Sequence, residues 1–343
     1  MTETMQALML TAIHKLEVLD VPKPTLEADD DVLVKVKSVG VCGSDLHGYT
    51  GHTGRRVPPL IMGHEATGEV VSVGPAVRDL HPGMPVATLT IASCGQCLMC
   101  RSGQRSLCEQ RRIMGMSAPG AYAEYVRWPA SSVIPLPNGL TYEAGALAEP
   151  LAVTVHAVGL ATIRPYDTVF VVGAGPIGLL TLAVLRNTAA GRLFISDASE
   201  ERLARARAIG ADVTINVLTE DVRAVVDAHT GGRGVDIAFE AVGLTATAQQ
   251  SLAVTRNRGQ VIWIGNNQRI VEIDMQAIVT RELSVIGSYG MSEEEFKRSL
   301  AMLADGKIPV DQFIDRRAAL SEGPTLFDDL LESPEIIKCV INF

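Results

Sequence analysis

The stretch Val171-Val-Gly-Ala-Gly-Pro-Ile-Gly178 constrains the fold of this chain more than any other. It has the spacing G-x-G-x-x-G, and it follows a short apolar run, Val169 to Val172, and opens a helix expected from about Pro176 to Asn187. The first glycine, Gly173, permits a tight turn. The second, Gly175, lets a pyrophosphate approach the backbone, and the third, Gly178, allows close strand–helix packing. The start of the helix offers free N–H groups and partial positive charge to phosphates. The next apolar run, Leu193 to Ser196, ends at Asp197, nineteen residues beyond Gly178. A carboxylate there accepts hydrogen bonds from an adenosine ribose. The other role for Asp197 is the N-cap of a helix beginning SEERLARA, and the two are compatible. Together these residues point to a bound dinucleotide. A 2′-phosphate would meet Asp197 with Glu200 and Glu201 nearby, which favours NAD over NADP. No arginine follows Asp197 directly. Arg202 comes one helical turn later, either on a solvated face or beside the cofactor.

The alternation continues through Glu200 to Ile209, Val213 to Asn216, Asp221 to His229, Val235 to Phe239, Ala246 to Thr255 and Gln260 to Gly265. Strands alternating with helices imply right-handed βαβ units and a parallel sheet, here ending near Ser288. A helix from about Glu293 to Ala304 and a C-terminal strand from Ile336 to Ile341 follow. The first 150 residues read differently. Asp31 to Val41, Gly68 to Val73 and Gly120 to Val126 alternate apolar and polar like half-buried strands, with turn residues between them. This segment predicts an irregular all-β or α+β domain, and a chain of 343 residues suggests two domains or one large one.

The formal charge of −9 argues against a nucleic-acid partner. The N-terminus lacks the basic and apolar regions of a signal peptide. The most apolar window, Thr168 to Leu185, holds the glycine motif, so no membrane span is expected. A reducing cytosol is the expected compartment, and there clustered cysteines are metal ligands before they are disulfides. Cys94, Cys97, Cys100 and Cys108 have the spacing C-x2-C-x2-C-x7-C. Four thiolates close a tetrahedron around Zn²⁺ and leave no position for a substrate, so this zinc is structural. Gly95, Ser102 and Gly103 let the chain fold back. The alternative is a redox-active cluster.

A second set of donors comprises Cys42 of GVCGSDLH, His64 and Glu65 of GHE, and Glu149 of the Glu149-Pro150 pair. Such donors suit zinc. Singly, a cysteine is often a small hydrophobe and a glutamate at a helix start a dipole-friendly cap, so spacing alone leaves this site open. Taken in order, GVCGSDLH, GHE, the cysteine lobe, EP and VGAGPIG followed by an aspartate resemble the zinc-dependent medium-chain dehydrogenase/reductase family. Within the family the sequence looks like the sorbitol (polyol), 2,3-butanediol and L-threonine dehydrogenase branch, because Glu149 stands where classical alcohol dehydrogenases use cysteine.

The resemblance implies an α/β chain. A GroES-like β-rich catalytic domain spans residues 1–150 and is completed by 290–343, and a Rossmann doubly wound parallel sheet spans 151–289. It implies Cys42 and His64 as zinc ligands, with Glu65 direct or alternating and Glu149 direct or through water. Ser44 takes the substrate proton and His47 passes it on, while Asp45 orients the loop. Gly173, Gly175, Pro176, Ile177, Gly178, Asp197, Arg202, Val242 and Ile264 form the cofactor site. The implied reaction is zinc-assisted hydride transfer between NAD and a secondary alcohol such as a polyol or vicinal diol. The implied assembly is a homo-oligomer, dimer or tetramer, with one catalytic and one structural zinc per chain. An amino alcohol or sugar phosphate is the next substrate class. Arg55 and Arg56 read an anionic substrate or lie solvated in their loop. Tyr49 and Tyr289 flank the substrate or belong to the core, and Cys339 belongs to the core. The rival classes are a nucleic-acid-gripping zinc module using Arg101, Arg105, Arg111 and Arg112, and an inactive structural protein of the same fold.

Overall fold

The structure is a computed structural model that describes residues 3–343. Met1 and Thr2, where the expected first domain begins, lie outside the described residues. Two compact units are present. One runs to Ala152 and takes in Met291–Gly306 and Phe313–Phe343; the other comprises Val153–Gly290 and Lys307–Gln312.

The second unit is built on six parallel strands. Their order is Val213–Asn216, Leu193–Asp197, Val169–Val172, Val235–Glu240, Thr255–Trp263 and Ser284–Gly287. The first strand in sequence, Val169–Val172, therefore pairs on one side with Leu193–Asp197 and on the other with Val235–Glu240. In sheets of this kind the reversal of strand order marks the ligand-binding end, and the glycine turn leaves this strand there. Phe170, Phe194, Ile215, Ala238 and Val261 fill the core, which is why these strands read as continuous apolar runs. The expected strand at Gln260 to Gly265 is longer and earlier, Thr255–Trp263. A short helix at Met275–Thr280 and the edge strand Ser284–Gly287 escaped the periodicity, because each is too brief to show a repeat.

In the first unit the strand Asp31–Gly40 is the hub. It pairs antiparallel with Glu65–Val73, Tyr125–Pro129 and Lys338–Asn342. It is buried on both faces except at Lys35 and, in part, Lys37, so the expectation of a half-buried strand fails here. Lys35 and Lys37 keep the alternate exposed positions, but Leu33 and Val39 on either side of them are buried too. The run Gly120 to Val126 is also different. The regular strand is Tyr125–Pro129, whereas Gly120, Ala121 and Tyr122 donate to carbonyls of Ile61, Gly63 and Met62 as an irregular segment. Gly120 is required there, since a Cβ would meet Met62 O at 2.1 Å. The C-terminal strand Lys338–Asn342 runs parallel to Ile314–Ala319, and an amphipathic helix, Gly323–Glu332, packs beside them. Among the described residues, no helix is long and apolar enough to cross a membrane.

Candidate active site

Three strand ends of the first unit bring the second donor set together. Gly40 ends the hub strand and lies in register with Glu65 on one side and Val340 on the other. A Cβ on Gly40 would stand 1.9 Å from Glu65 Oε2, so the glycine makes room for the carboxylate. The chain then turns at Cys42, which caps the helix Gly43–Tyr49. Gly63, at φ +86°, sets His64 and Glu65 at the start of their strand, with its face against the Tyr122 ring. As a result, donor atoms of Cys42, His64 and Glu65 lie within 4.8 Å of one another.

The surroundings of this set call for positive charge. His64 is buried, which disfavours protonation. Asp45 and Cys42 outweigh that and hold its pKa well above the ordinary value. His64 Nδ1 has no hydrogen-bond partner, although Asp45 Oδ1 is 3.5 Å away. Asp45 is fully buried, paired to Arg56 at 2.8 Å and accepting from Tyr122 Oη at 2.8 Å. Both oxygens of Glu65 accept from Lys338 Nζ, at 2.8 and 2.9 Å. Glu149 stands outside the compact set. Its Oε1 accepts from Thr90 Oγ1 at 2.6 Å, and burial together with Glu65 raises its pKa, against the pull of His64 and Lys338. A thiol, an imidazole and a buried carboxylate whose donor atoms converge within 4.8 Å fit a zinc ion.

Ser44 Oγ donates toward Cys42 Sγ at 3.3 Å and accepts from Arg56 Nη2 at 3.1 Å. His47 lies on the same short helix. Half-burial, the neighbouring His52 and the Arg56 charge lower its pKa. Arg56 itself contradicts both readings of the loop arginines: it is 4% exposed and bonded within the protein, whereas Arg55 is exposed. Tyr49 is core, with its hydroxyl on Asp328 at 2.7 Å, and Cys339 is likewise buried; Tyr289 is 40% exposed.

The sulfurs of the cysteine lobe approach as a tetrahedral site requires. Sγ–Sγ distances are 3.4 Å for Cys97–Cys100, 3.5 Å for Cys94–Cys108 and 3.9 Å for Cys94–Cys100. A tetrahedron with Zn–S near 2.3 Å has edges of about 3.8 Å. All six cysteines are free thiols. Gly95 and Gly103 adopt φ of +74° and +82°, which folds the lobe back on itself. Backbone N–H groups of Gln96 and Cys97 lead in lowering the Cys94 pKa to about 6, as suits a thiolate ligand. Of the four arginines near the lobe, Arg105 pairs with Glu293, Arg111 donates to Cys108 O and Arg112 lies over Trp128, while Arg101 is exposed.

In the second unit Gly173 takes φ +94° and Val242 packs against it. A Cβ on Gly178 would meet Gly173 O at 1.8 Å, whereas one on Gly175 would meet nothing within 4 Å. That open face above Gly175, before Pro176 at the helix start and Ile177, is where a pyrophosphate fits. Asp197 Oδ2 accepts from Ala174 N at 2.7 Å, which ties the acid to the glycine turn. It is not the helix cap; Ser199 is, accepting from Arg202 N. Ile264 N bonds to Glu240 O at the end of the neighbouring strand.

Known proteins agree with these two units. Residues 28–138 match the model of the alcohol dehydrogenase GroES-like domain, and 176–305 match that of the zinc-binding dehydrogenases. The chain belongs to the zinc-dependent medium-chain dehydrogenase/reductase family. It is 35% identical to D-arabitol-phosphate dehydrogenase of Enterococcus avium over 322 residues, covering 93% of this chain and 91% of that one. It is 30% identical to sorbitol dehydrogenase of Bacillus subtilis (strain 168) over 345 residues, covering 99% and 97%. A zinc-binding dehydrogenase structure from Sinorhizobium meliloti 1021, bound to NADP, superposes with a TM-score of 0.90 at 33% identity over the whole of both chains. This dehydrogenase therefore has a GroES-like unit and an NAD(P)-binding parallel sheet.

Thr90, Tyr122 and Lys338 were not singled out from the sequence. Lys338 had a signal: a lone lysine inside the apolar run IIKCVINF needs a buried counter-charge. Replacing it tests the pairing. Lys338→Met leaves Glu65 buried and unpaired and is expected to cost about 3 kcal/mol in urea unfolding. Adding Glu65→Gln is expected to recover most of that. Equal stability of Lys338→Met and the parent would contradict the pairing.

Proposed function

We propose that this dehydrogenase transfers a hydride from a secondary alcohol of a polyol or vicinal diol to NAD. The observation that carries the proposal is the convergence of Cys42, His64 and Glu65 within 4.8 Å, beside the Ser44 hydroxyl. In this reading Cys42 and His64 hold the catalytic zinc, and Glu65 or Glu149 supplies an acidic oxygen. A zinc ion held there would supply Lewis acidity toward the substrate hydroxyl, and a bound NAD would supply the hydride acceptor. Ser44 receives the substrate proton. His47, neutral near pH 7 because its pKa is lowered, passes that proton to solvent. Tyr122 and Arg56 hold Asp45 against His64, so the imidazole keeps its orientation.

The cysteine lobe holds the second, structural zinc. Residues 1–150 with 290–343 act as the catalytic domain and 151–289 as the cofactor domain. Gly173, Gly175, Pro176, Ile177 and Gly178 cradle the pyrophosphate. Asp197 meets the adenosine ribose, with Arg202, Val242 and Ile264 around the cofactor, and its negative charge favours NAD over NADP. Free thiols throughout the chain suit a cytoplasmic enzyme, and a homotetramer or homodimer fits the family. The likeness to D-arabitol-phosphate dehydrogenase supports a phosphorylated polyol as the second reading, with exposed Arg55 available to its phosphate. Assaying sorbitol against sorbitol phosphate with wild type and Arg55→Ala separates the two.

Cys42→Ala and His64→Ala are expected to lower turnover of zinc-replete enzyme by at least 1,000-fold, roughly the loss of a whole acid-catalysis contribution. NADH binding by fluorescence is expected to stay intact; near-normal turnover in either variant would remove the metal assignment. Asp197→Ala is expected to narrow the NAD/NADP ratio of kcat/KM about 10-fold or more, and an unchanged ratio would take Asp197 out of cofactor choice.

A further inference from the structure

Arg56 comes from a loop, yet its guanidinium is buried against the helix that carries Ser44 and His47. Nη1 donates to Ser44 O at 2.7 Å, Nη2 to Ser44 Oγ at 3.1 Å, and Nε to Gly115 O at 3.1 Å. The same Nη2 lies 2.8 Å from Asp45 Oδ1. The approach depends on the helix sequence. A Cβ on Gly48 would stand 2.3 Å from Arg56 Cδ, so the stem passes only because that residue is glycine. One planar fork thus grips the backbone and the hydroxyl of the same serine, a geometry that an ammonium cannot copy.

A serine hydroxyl has two lone pairs and one proton. Arg56 occupies one lone pair. The proton is directed at Cys42 Sγ, 3.3 Å away beside the donor set, so one lone pair remains open. We propose that Arg56 is a positioning residue for proton transfer, fixing the Ser44 oxygen so that one lone pair stays open to the substrate proton while the hydroxyl proton, on Cys42 Sγ in this structure, turns outward. The inference rests on the reading of Ser44 as the group that takes the substrate proton. In the step itself the substrate O–H proton moves into the free lone pair of Ser44 Oγ as the Ser44 proton leaves toward His47. Ser44 ends unchanged, and the proton gained by His47 equals the one lost by the alcohol. The fixed guanidinium also stabilises negative charge on Oγ whenever the outgoing proton runs ahead of the incoming one.

The test uses the zinc-replete enzyme, a polyol substrate and NAD. Arg56→Lys keeps a charge for Asp45 but loses the fork. It is expected to lower kcat by about 10- to 100-fold, the worth of a hydrogen bond to a charged group. The KM for NAD and the zinc content are expected to match wild type, while the melting temperature is expected to fall, because Gly115 O and Ser44 O lose buried donors. In a Ser44→Ala background the same substitution is expected to change kcat less than about 2-fold, because the two residues act as one unit. Wild-type kcat in Arg56→Lys overturns the proposal. So does an undiminished loss in the Ser44→Ala background, or a loss of zinc, either of which makes Arg56 a brace for Asp45 and His64 alone. If instead Ser44→Ala itself keeps full turnover, the reading of Ser44 fails first.

Discussion

Negative charge held out of water is the constraint on which the catalytic unit depends. Asp45, Glu65 and Glu149 are all buried, and Cys42 lies among them. An isolated carboxylate in such surroundings protonates or unfolds the protein. Here Arg56 offsets Asp45 and Lys338 offsets Glu65, and, against its burial, Asp45 holds the His64 pKa well above its ordinary value. The donor atoms of Cys42, His64 and Glu65 converge within 4.8 Å, an arrangement compatible with a divalent cation.

The backbone is shaped to permit this. Gly40 clears space for Glu65, Gly63 turns the chain into His64, and Gly48 admits Arg56. Lys338 arrives from the far C-terminus through pairing with the hub strand, which is why the first unit needs residues so distant in sequence. In the second unit the same economy appears at the glycine turn. Gly178 is forced by a carbonyl at 1.8 Å, and Gly175 leaves its face open to a ligand. Both centres use glycine for close approach rather than for flexibility.

What was legible in the sequence follows from range. The helix Glu200–Ile209, the helix Glu293–Ala304 and the strand Val213–Asn216 were placed residue for residue, because local periodicity and caps define them. The four-cysteine lobe was legible because all its ligands lie within fifteen residues. The alternative role of Asp197 as a cap is taken two residues later, since two capping residues, Asp and Ser, stand close together and the structure uses Ser199. The burial of Asp31–Gly40 and the irregular path of Gly120–Tyr122 depend on partners far along the chain, which no local pattern records. Arg56 was misread for the same reason. Nothing in GHTGRRVPP distinguishes a solvated arginine from one whose partners, Ser44, Asp45 and Gly115, are contributed by other segments.

The most direct measurement is an anomalous-difference map at the zinc edge, from crystals of the zinc-loaded enzyme. The expected result is two peaks per chain. One lies at the centre of Cys94, Cys97, Cys100 and Cys108. The other lies within bonding distance of Cys42 Sγ and His64. A single peak in the cysteine lobe, with Cys42 and His64 bare, would contradict the account.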